Sequence, residues 1–421
     1  MKTHSLPVLI LTCTLLQACS SMESNAIATA DDKAALDSAR TLLGPDWPAN
    51  TQTRQTTDSK IYLANLDGQI EVLDRLVQSR PDDVSLARLA LAYYHRFQIL
   101  GRIEDAEAAR QMLESAQDRP HQKVIDLNYA QIMLGFHEFS RVRQSIETAR
   151  QNGATAEDIE PLERALERST RALPVSQLEM AQGYGQPEDV MNLVLDAARL
   201  TELGQPDIAS IRLMRAQELY QDSSPFTLAW IHVQQGIVFL RNGDYGSALA
   251  FFAAAHDRLP EYYLATEHLA EVQLALGNTV EAAELYQWVA AQTGYPEFYY
   301  QLSRAQLNLG DEQAAGESAR LAALGYADLL KRYPAMFADH ATRYYMNSGR
   351  AETALELAQR NAGWRQDIRA RTLLIEAQLN AGNKSAACNG VTDIRALGYT
   401  PPELPELAEA LTRELKSGCR S

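Results

Sequence analysis

The chain has 421 residues, of which 46% are hydrophobic and 22% charged, and its formal net charge at pH 7 is −15. This composition excludes a wholly disordered chain. The length exceeds one ordinary compact core unless the architecture is extended. The negative charge disfavours nucleic acid and anionic lipid headgroups as partners and favours basic protein surfaces.

The first nineteen residues, MKTHSLPVLILTCTLLQAC, have the pattern of a secretory signal. Lys2 precedes an apolar run over residues 6–16, which is too short to span a bilayer. The final LQAC resembles the lipobox of bacterial lipoproteins. That resemblance implies cleavage after residue 18, lipidation of Cys19 and, with Ser20 following, sorting to the outer membrane of a Gram-negative bacterium. Several acyl chains would anchor the protein stably. A plain signal peptide with a chance cysteine is the alternative.

The segment after the signal is polar and short. SSMESNAIATADD follows Cys19, and a stretch of this composition is typical of a tether. We therefore predict a signal peptide over residues 1–18 and a lipidated N-terminus with a flexible tether over residues 19–59.

Glycines at turn-like positions recur along most of the remaining chain. Their spacings are 33, 34, 69, 39, 34, 33, 39 and 33 residues, and the value of 69 is two periods. A period near 34 is the signature of stacked helical hairpins. The glycines that set this register are Gly68, Gly101, Gly135, Gly204, Gly243, Gly277, Gly310, Gly349 and Gly382.

A second pattern follows the same register. The residue five positions after the glycine is alanine in seven of nine cases, and Leu73 and Ser140 are the departures. Small residues also recur seven positions before the glycine, at Ala197, Gly236, Ala270 and Ser303. Small side chains are expected where the two helices of a hairpin approach closely. The seven alanines are Ala106, Ala209, Ala248, Ala282, Ala315, Ala354 and Ala387.

Residues 229–262 carry the pattern most completely and resemble the tetratricopeptide repeat, whose consensus is matched at Gly236, Phe239, Gly243, Tyr245, Ala248, Phe252, Ala255 and Pro260. The resemblance extends over residues 60–400 and is weakest at about 140–190. It implies an all-α solenoid, a right-handed superhelix of about eight to ten helical hairpins. Recurrent Gly-Tyr pairs, at Gly294, Gly325 and Gly398, predict the ends of second helices.

The C-terminus, residues 401–421, predicts a final amphipathic helix after a Pro-Pro break, which suits the polar cap that a solenoid needs. Cys388 and Cys419 remain after removal of the signal and lipidation of Cys19. In an oxidising compartment we expect them to form a disulfide. Two unpaired thiols are the alternative.

Motifs for catalysis and metal binding are absent from the sequence. No two histidines have the i, i+4 spacing of a zinc helix, and no cysteine cluster, phosphate loop or nucleophile elbow occurs. We therefore predict no enzyme activity, no cofactor and no metal. A catalytic site within residues 140–190, involving Glu157, Asp158 and Glu160, is kept as a less favoured alternative.

In tetratricopeptide arrays the first helix of each hairpin lines the concave face, which binds peptides. The resemblance therefore implies a polar partner-binding ladder there, with asparagine and arginine suited to peptide backbones and carboxylates. For the asparagines, ordinary turn chemistry is the alternative. The candidate residues are Arg241, Glu267, Glu271, Tyr300, Arg304, Asn308, Asp339, Arg343, Asn347 and Asn380.

The function expected from these features is a non-catalytic protein–protein interaction scaffold, anchored by lipid to the periplasmic face of the outer membrane. Its partners would be periplasmic or outer-membrane proteins of an assembly or secretion machine. By resemblance to tetratricopeptide lipoproteins, that machine would serve pilus biogenesis or exopolysaccharide export. The alternative is an adaptor that regulates a peptidoglycan hydrolase or synthase.

Overall fold

The computed structural model describes residues 55–80, 82–117, 123–176 and 189–415. Within these ranges the chain forms nineteen helices and no strand. The predicted signal peptide, the lipidation candidate Cys19 and Cys419 lie outside the described residues. No helix in these ranges combines the length and the apolar character that crossing a membrane would require.

The helices before the degenerate stretch, and those within it, are α1 (Ser59–Ser79), α2 (Asp83–Leu100), α3 (Ile103–Glu114), α4 (Lys123–Gly135), α5 (Phe139–Gln151) and α6 (Ala156–Thr170). The helices of the central region are α7 (Val190–Glu202), α8 (Pro206–Leu219), α9 (Pro225–Arg241), α10 (Tyr245–Arg258), α11 (Tyr263–Ala275) and α12 (Thr279–Thr293). The last helices are α13 (Pro296–Asn308), α14 (Glu312–Arg332), α15 (Pro334–Asn347), α16 (Ala351–Trp364), α17 (Ile368–Asn380), α18 (Lys384–Ala396) and α19 (Leu404–Leu415).

Sixteen of these helices pack as eight hairpins of consecutive helices; each hairpin stacks on the next one from α2 to α5 and again from α7 to α18. The pairs are α2–α3, α4–α5, α7–α8, α9–α10, α11–α12, α13–α14, α15–α16 and α17–α18. The prediction of an all-α, tetratricopeptide-like solenoid is therefore confirmed over the described residues. Helix α6 packs on α5 without a described partner helix of its own, and α19 packs on the last hairpin.

Seven of the nine glycines that set the register lie in the turns between paired helices, with φ between 69° and 85°. A side chain at such an angle is disfavoured, which is why glycine recurs there. The seven alanines that follow these glycines are all at most 1% exposed. At Gly236, an added Cβ would lie 2.4 Å from the ring of Phe252. The predicted close approach of the two helices is confirmed.

Two of the predicted turn glycines are wrong. Gly68 lies inside α1, and Gly135 is the last residue of α4, where an added Cβ would lie 1.9 Å from the hydroxyl of Tyr94. These are the two positions whose fifth following residue is not alanine, Leu73 and Ser140. The departures from the alanine pattern therefore had a structural cause: the register there was misassigned.

His137 occupies the turn position that was assigned to Gly135. Its φ is 57°, the one positive value outside glycine among the described residues. The N–H groups of His137 and Glu138 donate to the carbonyls of Leu134 and Met133 at 3.1 and 3.0 Å. Gly243 and the residue after it make the same two bonds in the α9–α10 turn. Because histidine replaces glycine here, sequence spacing alone could not locate the turn.

The Gly-Tyr signal for the end of a second helix holds at two of three positions. Gly294 directly follows α12, and Gly398 follows shortly after the end of α18; both have positive φ. Gly325 lies inside α14, which continues to Arg332, so that prediction is wrong. An added Cβ at Gly325 would lie 3.0 Å from the Cβ of Pro296. That glycine serves close packing between α14 and α13 rather than a turn.

The N-terminal hairpins lie alongside the C-terminal hairpins, as successive turns of a superhelix. Hydrogen bonds join residues roughly 165–225 positions apart along the whole length of the array. They pair Thr57 with Ser223, Leu100 with Gln292, Glu107 with Tyr333, His137 with Ala335, Ser169 with Gln366, Val175 with Leu397, and Leu203 with Thr400. One apolar core cluster accordingly runs from Leu66 to Phe337, and a second covers residues 368–411.

Candidate functional site

The predicted partner-binding residues all lie on the first helices of the last five hairpins: α9, α11, α13, α15 and α17. They occupy three different environments. Some are buried in ion pairs within the chain, two are partly buried, and three are exposed at the ends of the helices.

Arg241, at the end of α9, is held by two carboxylates. Its guanidinium donates to Glu202 at 2.7 and 3.3 Å and to Glu403 at 2.8 and 2.9 Å. Arg369 of α17 donates to Glu202 at 3.0 Å. All four side chains are at most 21% exposed. These residues, the Arg241 cluster, join α7, α9, α17 and the start of α19.

The protonation equilibria of this cluster favour the charged forms. Burial alone would lower the pKa of Arg241, but Glu202 and Glu403 more than offset burial and raise it. Burial alone would raise the pKa of Glu403, but Arg241 holds it well below its usual value. A bidentate arginine between two buried carboxylates is a strong, specific contact. Arg241 therefore stabilises the fold in this structure by pairing with carboxylates of the same chain.

Two further predicted residues also pair within the chain. Arg343 of α15 donates to Glu376 of α17 at 2.7 Å. Asp339 accepts from Arg365 at 3.4 Å, and Arg365, only 2% exposed, also donates to Asp367 at 2.8 Å. The first pair joins the first helices of neighbouring hairpins, and the second joins α15 to the connection between α16 and α17.

Glu267 and Glu271 of α11 lie on either side of His268, and all three side chains are buried. The Nδ1 atom of His268 is 3.2 Å from Oε2 of Glu267 and 3.0 Å from Oε2 of Glu271. The imidazole stacks on the ring of Phe252 at a centroid distance of 5.0 Å. Burial opposes the charged imidazole, but the carboxylates outweigh burial and raise the pKa of His268.

Glu297 of α13 and His340 of α15 stand beside this group. The Nδ1 atom of His340 is 2.5 Å from Oε2 of Glu297. Burial opposes the charged form, but Glu297, Asp339 and Glu267 raise the pKa of His340 to about 9. We call Glu267, His268, Glu271, Glu297 and His340 the acid–imidazole cluster.

Tyr300 and Arg304 of α13 are partly buried. The ring of Tyr300 meets that of Tyr344 edge to face, with centroids 5.2 Å apart. Arg304 approaches the amide oxygen of Gln301 at 3.4 Å. Tyr300 therefore contributes to packing between hairpins, and both side chains remain partly accessible.

Asn308, Asn347 and Asn380 are exposed and end their first helices. Exposed apolar side chains accompany them. Leu276, Val280, Leu307 and Leu309 are between 42% and 55% exposed, and they are four of the eleven large hydrophobic side chains exposed in the described ranges. Equivalent positions of stacked repeats fall on one edge. We call these seven residues the turn edge.

The turn edge was only half recognised from sequence. The three asparagines were found by register, whereas the leucines and the valine were not singled out. The signal was present, because Leu276 and Leu309 both directly precede a turn glycine. Their exposure depends on which residues the next hairpin covers, which a single sequence does not state.

Two of the three acidic residues named for the degenerate stretch, Asp158 and Glu160, form contacts within the chain. Asp158 forms a capping box with Thr155 at the start of α6 and pairs with Lys123 at 2.5 Å. Hydrogen bonds from Lys123 and Thr155 lower its pKa to about 2. Glu160 pairs with Arg164 one turn along the same helix. These contacts are those of a stable helix start.

Cys388 of α18 is disulfide-bonded in the structure. Its predicted partner, Cys419, lies outside the described residues, so the pairing of these two cysteines stays a prediction.

No protein-family model matches the sequence, and no curated protein sequence matches it. Among solved structures, the chain is similar to the APC/C hetero-tetramer Cut9–Hcn1, with a TM-score of 0.45, 16% identity, and coverage of 83% of this chain and 67% of that one. It is also similar to yeast Tom70, with a TM-score of 0.30, 14% identity, and coverage of 92% and 97%. For a human IFIT1 dimer with PPP-AAAA, the TM-score is 0.41, the identity is 16%, and the coverage is 88% and 95%.

Proposed function

We propose that this protein is a non-catalytic scaffold that docks protein partners on its turn edge. The observation that carries the proposal is the exposure of three leucines and one valine at the turns of hairpins α11–α12 and α13–α14, together with exposed asparagines at the ends of α13, α15 and α17. Exposed apolar side chains that cluster on a surface mark interaction sites. Asparagine side chains at the same edge supply donors and acceptors for a partner's backbone.

The internal ion pairs support the same assignment. Arg241, Asp339 and Arg343 bind carboxylates or arginines of this chain, so a partner on the inner face would have to displace them. Displacement would leave buried charges unpaired, which is costly. A partner on the turn edge meets no such obstacle, because it covers side chains that already face water.

The location that we propose is the periplasmic face of the outer membrane, with Cys19 as the lipid anchor. The LQAC motif supports this anchor. The partners would then be envelope proteins, and pilus biogenesis or exopolysaccharide export is the process we favour. We expect Cys19→Ala to release the protein into the soluble periplasmic fraction. Unchanged sedimentation with the outer membrane would contradict the anchor.

Site-specific photo-crosslinking in intact envelopes tests the docking surface. A photoreactive residue is placed at Leu276 or Leu309 on the turn edge, and at Arg320, which is exposed on α14 away from the edge. The proposal expects the same partner from both edge positions and none from position 320. Equal capture at position 320, or none at the edge, would refute it.

Activity measurements separate the scaffold from the regulator of a peptidoglycan hydrolase or synthase. If the crosslinked partner is such an enzyme, its turnover is measured with and without the purified chain. A changed turnover that is lost in a Leu307→Asp, Leu309→Asp variant favours the regulator. Unchanged turnover with retained binding favours the scaffold.

A further inference from the structure

The acid–imidazole cluster repeats one dipeptide pattern in the register of the array. Glu267-His268 stands ten and nine residues before Gly277, and Asp339-His340 stands ten and nine residues before Gly349. Each pair is an acid followed by histidine, on the first helices of hairpins α11–α12 and α15–α16. Because equivalent positions of stacked repeats align, the two histidines face the same side. The intervening first helix, α13, places Glu297 between them.

The donor atoms of α11 converge on one point. Nδ1 of His268 and carboxylate oxygens of Glu267 and Glu271 lie within 4.8 Å of one another, and all three residues are buried. Two carboxylates this close repel each other unless a positive charge lies between them. Buried charges in proteins are paired or coordinate metals.

Glu297 and His340 form a second acid–imidazole pair beside this group. Nδ1 of His340 is 2.5 Å from the Glu297 oxygen and is shielded from solvent. Even with both imidazoles protonated, the three carboxylates of the acid–imidazole cluster leave one negative charge in excess. Buried charges in proteins are paired or coordinate metals, so this excess favours a bound cation.

We propose that Glu267, His268 and Glu271 bind one divalent transition-metal ion, with Zn²⁺ as the best match, and that Glu297 and His340 complete or orient its ligand shell. Zn²⁺ accepts imidazole nitrogen and carboxylate oxygen in this combination. The set contains no sulfur, and its imidazoles favour a transition metal over Mg²⁺ or Ca²⁺.

Such an ion would connect the first helices α11, α13 and α15 across three consecutive hairpins. The turns that bear Leu276, Leu307 and Leu309 belong to the first two of these hairpins. The ion would therefore fix the spacing of the hairpins that carry the apolar part of the turn edge. A search for paired histidines could not find this site, because its binding residues are one histidine and two glutamates.

Zinc titration of the metal-stripped full chain against a chromophoric chelator tests the proposal. We expect one equivalent of Zn²⁺ per chain. Glu271→Gln, which keeps the side-chain shape, should weaken binding at least tenfold, and His340→Gln should weaken it by a smaller factor. Glu281→Gln, on an exposed position of α12, and His256→Gln, outside the cluster, are the controls and should leave affinity unchanged. Circular dichroism confirms that each variant is folded.

X-ray absorption identifies the ligands of the bound zinc. The expected shell has nitrogen and oxygen at about 2.0–2.2 Å and no sulfur at about 2.3 Å. Sulfur in the shell would place the metal on cysteine and overturn the proposal. Absence of stoichiometric binding would overturn it as well, as would full affinity in both folded cluster variants.

Discussion

Replacing Arg241 by methionine tests whether this arginine holds the fold or awaits a partner. Methionine keeps the length of the stem and removes the charge. Glu202 would retain Arg369 at 3.0 Å, whereas Glu403 would lose both of its bonds to Arg241. Glu403 is buried, so the variant leaves one carboxylate without its main partner.

The expected cost follows from that unpaired charge. Removing one partner of a buried ion pair typically destabilises a protein by about 3–5 kcal/mol. Urea unfolding followed by circular dichroism should show the midpoint fall accordingly. Hydrogen exchange should quicken most in α19, because Glu403 directly precedes this helix. Adding Glu403→Gln to the variant should recover most of the loss, since the buried charge is then gone.

Arg320→Met is the matched control, because Arg320 forms an ion pair with Glu317 in which both side chains are more than half exposed. Its midpoint should stay unchanged, as expected for a surface pair. If Arg241→Met unfolds at the same urea concentration as this control, with no faster exchange in α19, then the ion pairs of Arg241 do not stabilise the fold. Arg241 would then be free to serve a partner.

Three more predictions concern packing and pH. Gly236→Ala should destabilise the protein by about 1–3 kcal/mol, because its Cβ would meet the fully buried ring of Phe252. Gly316→Ala, with nothing within 4 Å of the added Cβ, should stabilise its helix. Equal unfolding midpoints of the two variants would contradict the close packing of Gly236 on Phe252. Ala248→Leu should cost about 1–3 kcal/mol in the same assay because Ala248 has no exposed surface. The Glu403 carboxylate has a lowered pKa in the fold, so its contribution is complete above about pH 4.5 and is lost as the pH falls below that value. An acid titration of stability should therefore be shallower in Glu403→Gln, and an unchanged slope would count against the ion pair.

The hairpins were predictable because their signals are local. A turn needs a residue that tolerates positive φ, and the helix that follows needs a small side chain five residues on. Both requirements act within one hairpin, so the roles of Gly243 and Ala248 can be predicted from the sequence. The same logic explains the failures. Gly135 is small because Tyr94 of another hairpin covers it, and His137 supplies the turn in its place.

The environment of the predicted partner-binding ladder could not be predicted, because it depends on contacts between residues far apart in the sequence. Arg241 is separated by 39 residues from Glu202 and by 162 from Glu403. That meeting depends on how tightly the superhelix winds, since Glu202 belongs to one turn and Glu403 to the next. Repeat register fixes the face on which a side chain lies. It does not fix whether the following superhelical turn covers that face.

This winding has a consequence for how the array can recognise a partner. An open solenoid offers its concave ladder of charges, and binding there is selected by complementary charge. Here Arg241, Asp339 and Arg343 are paired within the chain, so these three members of the predicted ladder offer little uncompensated charge to a partner. Recognition then falls to the turn edge, where the apolar side chains gain by leaving water and the asparagines fix orientation. A partner of this edge should therefore bind with weak dependence on salt, because screening acts on exposed charges and hardly on apolar contact.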